Sequence, residues 1–381
     1  MDFGLTEQQR MLRQTIRDFA THEIEPAAAT IDEREEFPWE IVRKASELGL
    51  LGLTIPETYG GSGMDFTSEI VMVEEICRAS AAVGAICLAH LSLAIHPLYE
   101  KASEGQRQRF IPPCARGEKL ACFALTETEA GSDPAALHTT ATPKNNGYLL
   151  NGTKIFITNG AEAEVVVVFA TVDPSLGYRG INEFVVERGT AGLSVGKREQ
   201  KLGIRGSSTV ELIFEDCWIP DSNLIGERGR GFRQALEAID ASRMAVAAQA
   251  VGIAQAALDA ALKYAKERRQ FGQAIGEFQG LQWMLADMAT EIDAARLLTY
   301  RVAWLKDQGY PFLKEAAMAK VFAAEASREV TNKALQIHGG YGYTKEYPLE
   351  RYLRDAKITE IYEGTSEMQR MTIARRLLAE G

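Results

Sequence analysis

Several short stretches of this chain carry residue types at spacings that suit chemistry. In Ile361-Tyr362-Glu363-Gly364-Thr365-Ser366-Glu367-Met368-Gln369-Arg370, Ser366 followed three residues later by Gln369 reads as a capping box, so a helix is expected to start there. Glu363 and Gly364 then fall in the loop at the helix N-terminus, where backbone donors and the helix dipole face a ligand. Gly364 permits close approach to Glu363 and leaves its carboxylate free for general-base work. The plain alternative is a solvated glutamate. In Phe123-Ala124-Leu125-Thr126-Glu127-Thr128-Glu129-Ala130-Gly131-Ser132-Asp133, hydroxyls at Thr126 and Ser132 with Gly131 beside them suit a loop whose backbone approaches a polar ligand. A turn leading out of a strand explains the same residues. Gln336-Ile337-His338-Gly339-Gly340 ends a helix in glycines, as a C-cap also would. Lys266-Glu267-Arg268-Arg269-Gln270-Phe271-Gly272 sets paired arginines beside an aromatic, which suits a pyrophosphate and a ring but also describes a solvated charge run.

Three kinds of element must position these groups. Leu5, Met11, Leu12, Ile16 and Phe19 recur near the helical period with Thr6 as N-cap, and a helical segment is expected from about Thr67 to Leu98. Another runs from Gly105 to Phe110 and is expected to stop at Pro112-Pro113. Near Leu120 the character changes. Tyr148-Leu149-Leu150, Lys154–Thr158, Val165–Ala170, Phe184–Val186 and Val210–Phe214 read as strands, and Asn151-Gly152 and Asn159-Gly160 as hairpin turns. From about Arg230 the chain is helical again, with Met244–Leu258 uncharged and alanine-rich, and Gln282–Lys306 and Lys314–Ile337 periodic.

Length and composition bound the class. The 381 residues, 46% hydrophobic and 25% charged, describe a globular protein of two or three domains. Forty-two Lys and Arg against 52 Asp and Glu leave a net charge of −10, which argues against a nucleic-acid binder. Cys77, Cys87, Cys114, Cys122 and Cys217 lack C-x-x-C spacing, which fits a reducing compartment rather than disulfides or zinc. Met1-Asp2-Phe3-Gly4 opens without a basic, apolar leader, so a cytoplasmic protein is expected. Ala79–Tyr99 carries no charge, but His90, His96, Ser80, Ser92 and Pro97 favour a buried helix and turn over a membrane span. Neither a G-x-G-x-x-G after a strand nor a P-loop, H-E-x-x-H or G-x-S-x-G occurs, and Asp2-Phe3-Gly4 matches a kinase string by chance.

Taken together and in this order, the motifs resemble the acyl-CoA dehydrogenase family over Leu5 to Leu378: Phe123–Asp133, Phe156-Ile157-Thr158-Asn159-Gly160, Arg268–Gly272, Gln336–Gly342 and Ile361–Arg370. The resemblance implies an α+β multidomain fold: an N-terminal helical domain (1–120), a middle antiparallel β-domain (121–229) and a C-terminal four-helix bundle (230–381) with the catalytic base. It implies FAD, an acyl-CoA substrate oxidised to trans-2-enoyl-CoA, an electron-transferring flavoprotein as acceptor, and a homotetramer. In that chemistry a carboxylate removes the α-proton while the β-hydrogen leaves as hydride to flavin N5.

Carried over by position, Glu363 resembles the base. Phe123, Leu125, Thr126, Gly131 and Ser132, then Phe156, Ile157 and Thr158, match residues around the flavin, with Thr365 and Glu367 near it after the base. Arg268, Phe271, Gln279, Gln336, Gly339 and Gly340 match contacts to a neighbouring subunit's FAD. Ser132, Asp240, Arg243 and Gly364 match substrate-contacting positions, and no dedicated cationic site for the CoA phosphates stands out. Some branches carry the base on a C-terminal helix, where this chain has Ser242; that leans toward a short-, branched- or medium-chain enzyme. The alternatives weighed are an oxygen-using flavin oxidase or monooxygenase-like relative and a DNA-associated flavoprotein of the superfamily.

Overall fold

The computed structural model describes residues 4–379, so Met1–Phe3, and with them most of the opening stretch and of the Asp2-Phe3-Gly4 string, lie outside the described residues. Helix α1 (Glu7–Phe19) starts at Thr6 as expected: Thr6 Oγ1 accepts from the Gln9 amide at 3.2 Å, and Gln9 Oε1 accepts from the Thr6 amide at 3.0 Å. It is followed by α2 (Glu25–Arg34), α3 (Trp39–Glu47), α4 (Phe66–Ala79), α5 (Ala81–Leu88), α6 (His96–Lys101) and α7 (Glu104–Ala115).

Two expectations change here. The helix foreseen over Thr67–Leu98 is broken at Ser80, which turns extended and caps α5, and a π-helical stretch, Ala89–Ile95, joins α5 to α6. Pro112 and Pro113 do not stop α7; they lie in its last turns, where their carbonyls still accept from Arg116 (3.1 Å) and Lys119 (3.0 Å). A proline this near a C-terminus removes its own N–H but keeps an acceptor. Residues 81–101 are apolar enough to span a membrane, yet 94% of their most apolar window is buried inside the protein. Its polar groups are paired there: His90 with the Cys114 carbonyl and the Ala121 amide, Ser92 with Glu69, His96 with Thr54 and Glu100.

The middle of the chain forms one sheet from β1 (Ala121–Ala124), β2 (Thr140–Pro143), β3 (Gly147–Thr158), β4 (Val165–Thr171), β5 (Ile181–Glu187), β6 (Leu193–Arg198), β7 (Thr209–Pro220) and β8 (Leu224–Ile225). The order is β6-β7-β3-β2-β4-β5-β8, with β1 parallel on β4. The ladders are otherwise antiparallel except for a single parallel pairing of β2 with β4. Asn151-Gly152 is not a hairpin turn. Residues 147–158 are one strand, and Gly152 (φ 149°) sits at a bulge where β3 slips against β7. A Cβ there would stand 2.5 Å from Thr139 Oγ1, so the glycine admits a close crossing rather than a reversal. The real hairpin turn is Asn145-Asn146, both at positive φ, between β2 and β3. Strand β4 is apolar throughout because both faces are covered: Val165, Val167 and Phe169 enter the helical core, Val166, Val168 and Ala170 the sheet's own.

The C-terminal helices are α8 (Gly231–Glu267), α9 (Gln279–Asp307), α10 (Leu313–His338), α11 (Leu349–Ile358) and α12 (Ser366–Ala379), with a small hairpin of β9 (Arg269–Gln270) and β10 (Gln273–Ala274) after α8. Asp307 on α9 caps α4 by accepting from the Phe66 amide (2.7 Å), the Thr67 amide (3.1 Å) and Thr67 Oγ1 (2.7 Å). Asn159 at the end of β3 donates to the Ile86 carbonyl at 3.0 Å, and the α11 residue Arg354 pairs with Asp32 at 2.6 Å. These contacts lock the sheet between the helical halves.

Candidate active site

Glu363 lies in the turn between α11 and α12 at φ 54°, followed by Gly364 at φ 88°. Left-handed backbone at a glutamate is strained, and the surroundings hold it. Gln369 Nε2 donates to the Glu363 carbonyl at 3.1 Å and to the Gly364 carbonyl at 2.8 Å. Lys320 Nζ on α10 donates to the Gly364 carbonyl at 2.7 Å, and Arg243 Nε on α8 reaches the Glu363 carbonyl at 3.5 Å. A Cβ on Gly364 would come within 2.8 Å of Gln369 Nε2. The expected capping box shifts by one residue: Ser366 opens α12, Thr365 Oγ1 accepts from the Met368 amide at 3.4 Å, and Gln369 serves the turn instead of the cap.

The grip is on backbone carbonyls, which leaves the Glu363 carboxyl with one hydrogen bond, from Ser242 Oγ at 2.5 Å. The residue is half-buried, and its carboxyl reaches a fully buried hydroxyl. Burial pushes its pKa up, against the opposing pulls of Ser242, Lys320 and Arg243. The Glu363 amide makes no hydrogen bond within the described residues. A poised carboxyl beside an open amide donor is what proton abstraction next to a carbonyl requires. Asp240 and Arg243, one turn apart on α8, form an ion pair at 2.6 Å; burial raises the Asp240 carboxyl to about 6 despite Arg243 and Arg376. Thr365 is half-buried and Glu367 exposed.

The second group lies on the sheet. Phe123 lies on β1 and Leu125 follows it, and the Thr126 carbonyl accepts from the Ile155 amide at 2.9 Å, tying this loop to β3. Gly131 and Ser132 are exposed, and nothing stands within 4 Å of a Cβ at Gly131. At the end of β3 a second bulge, with Phe156 at φ 58°, breaks the strand's alternation. It turns the Phe156 ring outward, 59% exposed, while Ile157 is sunk in the sheet's core and can offer a ligand only its backbone. Thr158 is half-buried. An outward aromatic, free glycine space and hydroxyls on one loop fit a flat, hydrogen-bonding ring system such as a flavin.

Sequence reasoning missed what supports this loop. Lys154 on β3 is fully buried and donates to Glu127 Oε1 (2.7 Å) and the Leu125 carbonyl (3.0 Å). Glu127 also accepts from the His138 and Thr139 amides at 2.5 and 3.0 Å. Burial lowers the Lys154 amine to about 8; the Glu127 carboxyl, also raised by burial, ends below its ordinary value because of Lys154. The only signal in the sequence was a lysine opening the stretch Lys154–Thr158, which reads as a strand.

The third group is elsewhere. Arg268 ends α8, Phe271 is 94% exposed at the tip of the β9–β10 hairpin with φ 52°, and Gln279, Gln336, Gly339 and Gly340 are exposed. Arg268, Gly339 and Gly340 border a groove of about 510 Å³ with Ile337, His338 and Tyr341. Arg268 lies 25 positions after Arg243 along α8 and its C-cap, about 37 Å at 1.5 Å per residue. One chain therefore cannot close both groups around the same end of one ligand.

Comparisons with known proteins cover all three parts of the chain. Three family models match: "Acyl-CoA dehydrogenase, N-terminal domain" over residues 6–118, "middle domain" over 122–217 and "C-terminal domain" over 229–378. The short-chain specific acyl-CoA dehydrogenase of Clostridium acetobutylicum is 48% identical over 377 residues, covering 99% of this chain and 100% of that one. The butyryl-CoA dehydrogenase structure from Megasphaera elsdenii superposes with a TM-score of 0.98 at 43% identity, covering 99% and 100%. A chain from a study of the electron transferring flavoprotein of Acidaminococcus fermentans and flavin-based electron bifurcation gives 0.98 at 48% identity, again covering 99% and 100%. With all three domains matched in order, the chain belongs to the acyl-CoA dehydrogenase family.

Proposed function

We infer that this protein is an FAD-dependent acyl-CoA dehydrogenase that converts a short-chain acyl-CoA to its trans-2-enoyl-CoA, with Glu363 as the base. The carrying observation is the Glu363 carboxyl, held at φ 54° with its pKa raised and its own amide free of partners among the described residues. Bound FAD supplies the hydride acceptor. The protein's part is to orient the thioester so that its carbonyl meets the Glu363 amide and its α-hydrogen meets the carboxylate. Asp240, Arg243, Ser132 and Gly364 are read as substrate contacts. Phe123, Leu125, Thr126, Gly131, Ser132, Phe156, Ile157, Thr158, Thr365 and Glu367 are read as cofactor contacts within the chain. Arg268, Phe271, Gln279, Gln336, Gly339 and Gly340 are assigned to a second subunit's cofactor, supported by the 37 Å argument, and the enzyme is read as a homotetramer. The name of one similar structure supports an electron-transferring flavoprotein as electron acceptor. Five free, buried cysteines support a reducing, cytoplasmic setting.

Replacing Glu363 with Gln is expected to leave a yellow protein whose flavin no longer bleaches anaerobically with acyl-CoA, with turnover down at least about 1000-fold. Retained activity would remove Glu363 as the base. Bleaching against a panel of straight and branched acyl-CoAs reads the chain length, with the C4 thioester expected to be fastest.

A further inference from the structure

Lys320 is an unusual residue for the middle of α10: it is fully buried, yet no carboxylate takes its proton-bearing end at hydrogen-bond distance. Its hydrogen-bond partner is a neutral carbonyl, that of Gly364 at 2.7 Å, the residue after the base. Burial lowers its amine to about 8, partly offset by Glu363, Glu360 and Glu367 and reinforced by Arg243. A buried cation costs several kcal/mol unless something requires it. A neutral side chain of the same length would fill the space, so the charge and the donor need a reason.

We propose that Lys320 is a positioning residue for the proton-abstraction step: it pins the Gly364 carbonyl so that the Glu363–Gly364 turn stays left-handed, and its charge faces the Glu363 carboxylate without bonding to it. Two consequences follow from this placement. Holding the Gly364 carbonyl fixes the peptide plane after Gly364; with the Glu363 carbonyl held by Gln369 and Arg243, the turn that carries the Glu363 side chain and amide is fixed. A cation close to the carboxylate but bonded elsewhere stabilises the charged base without occupying the lone pairs that must take the substrate proton. Gln369 shares the carbonyl grip at 2.8 Å but brings no charge, and the Arg243 charge is drawn toward Asp240 at 2.6 Å. Charged groups acting on the base are therefore Lys320 from α10 and Arg243 from α8, while Glu360 and Glu367 also act on Lys320.

The inference rests on Glu363 being the base, and the test separates the two. In the flavin-loaded full-length enzyme, Lys320→Met and Lys320→Arg are compared with wild type and Glu363→Gln by steady-state pH profiles, with flavin content and far-UV circular dichroism as folding checks. Lys320→Met is expected to lower kcat at least tenfold with KM within threefold, and to move the acid limb of kcat upward by at least half a pH unit. Lys320→Arg, which keeps the charge, is expected to restore most of the limb's position. An acid limb unmoved in a folded Met variant overturns the proposal. So does failure of both the Met variant and a Lys320→Gln variant to fold, which would assign the lysine to the core alone. If Glu363→Gln itself keeps full activity, the base reading has failed and not the Lys320 inference in particular.

Discussion

Glu363 is where local rules are broken together: left-handed φ on a non-glycine residue, a raised carboxyl pKa and a turn clamped by buried polar side chains. Such concentration of strain marks a site that stability alone would not build. The sign of the pKa shift gives a stability test. Because burial raises the folded-state pKa above the unfolded value, the native state is favoured by the protonated form, and this contribution is lost as pH rises through the folded pKa. Glu363→Gln is neutral at every pH. It should therefore melt within error of wild type at acid pH and higher by about 1–3 °C at pH 8–9, read by calorimetry. A variant that melts lower at alkaline pH would mean the charged form is favoured in the fold. Ser242 acts in the opposite sense, since its hydroxyl donates to the carboxylate and favours ionisation. Ser242→Ala should move the acid limb of kcat upward, with the loss of rate largest below neutrality.

Elements were legible where periodicity was long and illegible where the signal was one residue. Thr6 as an N-cap, the helices α9 and α10, and the apolar run of β4 follow from capping and patterning. Asn151-Gly152 misled because the same glycine that suits a turn also suits a bulge, and the deciding fact, the closeness of Thr139, is tertiary. Buried Lys154 and Lys320 were passed over because burial of lysine runs against composition rules, and only the fold shows which carbonyls they hold. Within the candidate site the motif residues were readable and their supports were not. The loop carrying Leu125, Thr126, Gly131 and Ser132 depends on Lys154 and Glu127. Lys154→Met leaves Glu127 buried without its cation, an expected cost of about 3–5 kcal/mol. Thermal unfolding should shift accordingly, with flavin-to-protein absorbance falling before secondary structure does. At the other junction, Asp307→Ala removes three bonds from the start of α4 and should cost about 1–2 kcal/mol in denaturant melts.

At the scale of the whole molecule the chain looks incomplete by itself. Phe271 (94%) stands almost fully in solvent, and Tyr341, Tyr343 and Trp283 are exposed as well. Arginine and glycines border the adjoining groove, about 37 Å along α8 from Arg243. A tight, strained turn that displays an aromatic to water has no use in a lone subunit. It has one if a neighbour's cofactor lies against it, in which case binding of FAD and assembly reinforce each other by mass action. The expectation is a tetramer by light scattering that loses flavin on dilution as it dissociates. Phe271→Ser and Arg268→Ser each remove one ring or charged contact, worth about 1–3 kcal/mol, and should weaken FAD binding by about 10- to 100-fold. Among the described residues Phe271 makes only one ring contact, at 6.1 Å with Phe278, so its replacement should leave circular dichroism unchanged. Flavin occupancy after gel filtration reads the effect, and a monomer that keeps a full complement of flavin would refute the assignment of these residues to a second subunit's cofactor.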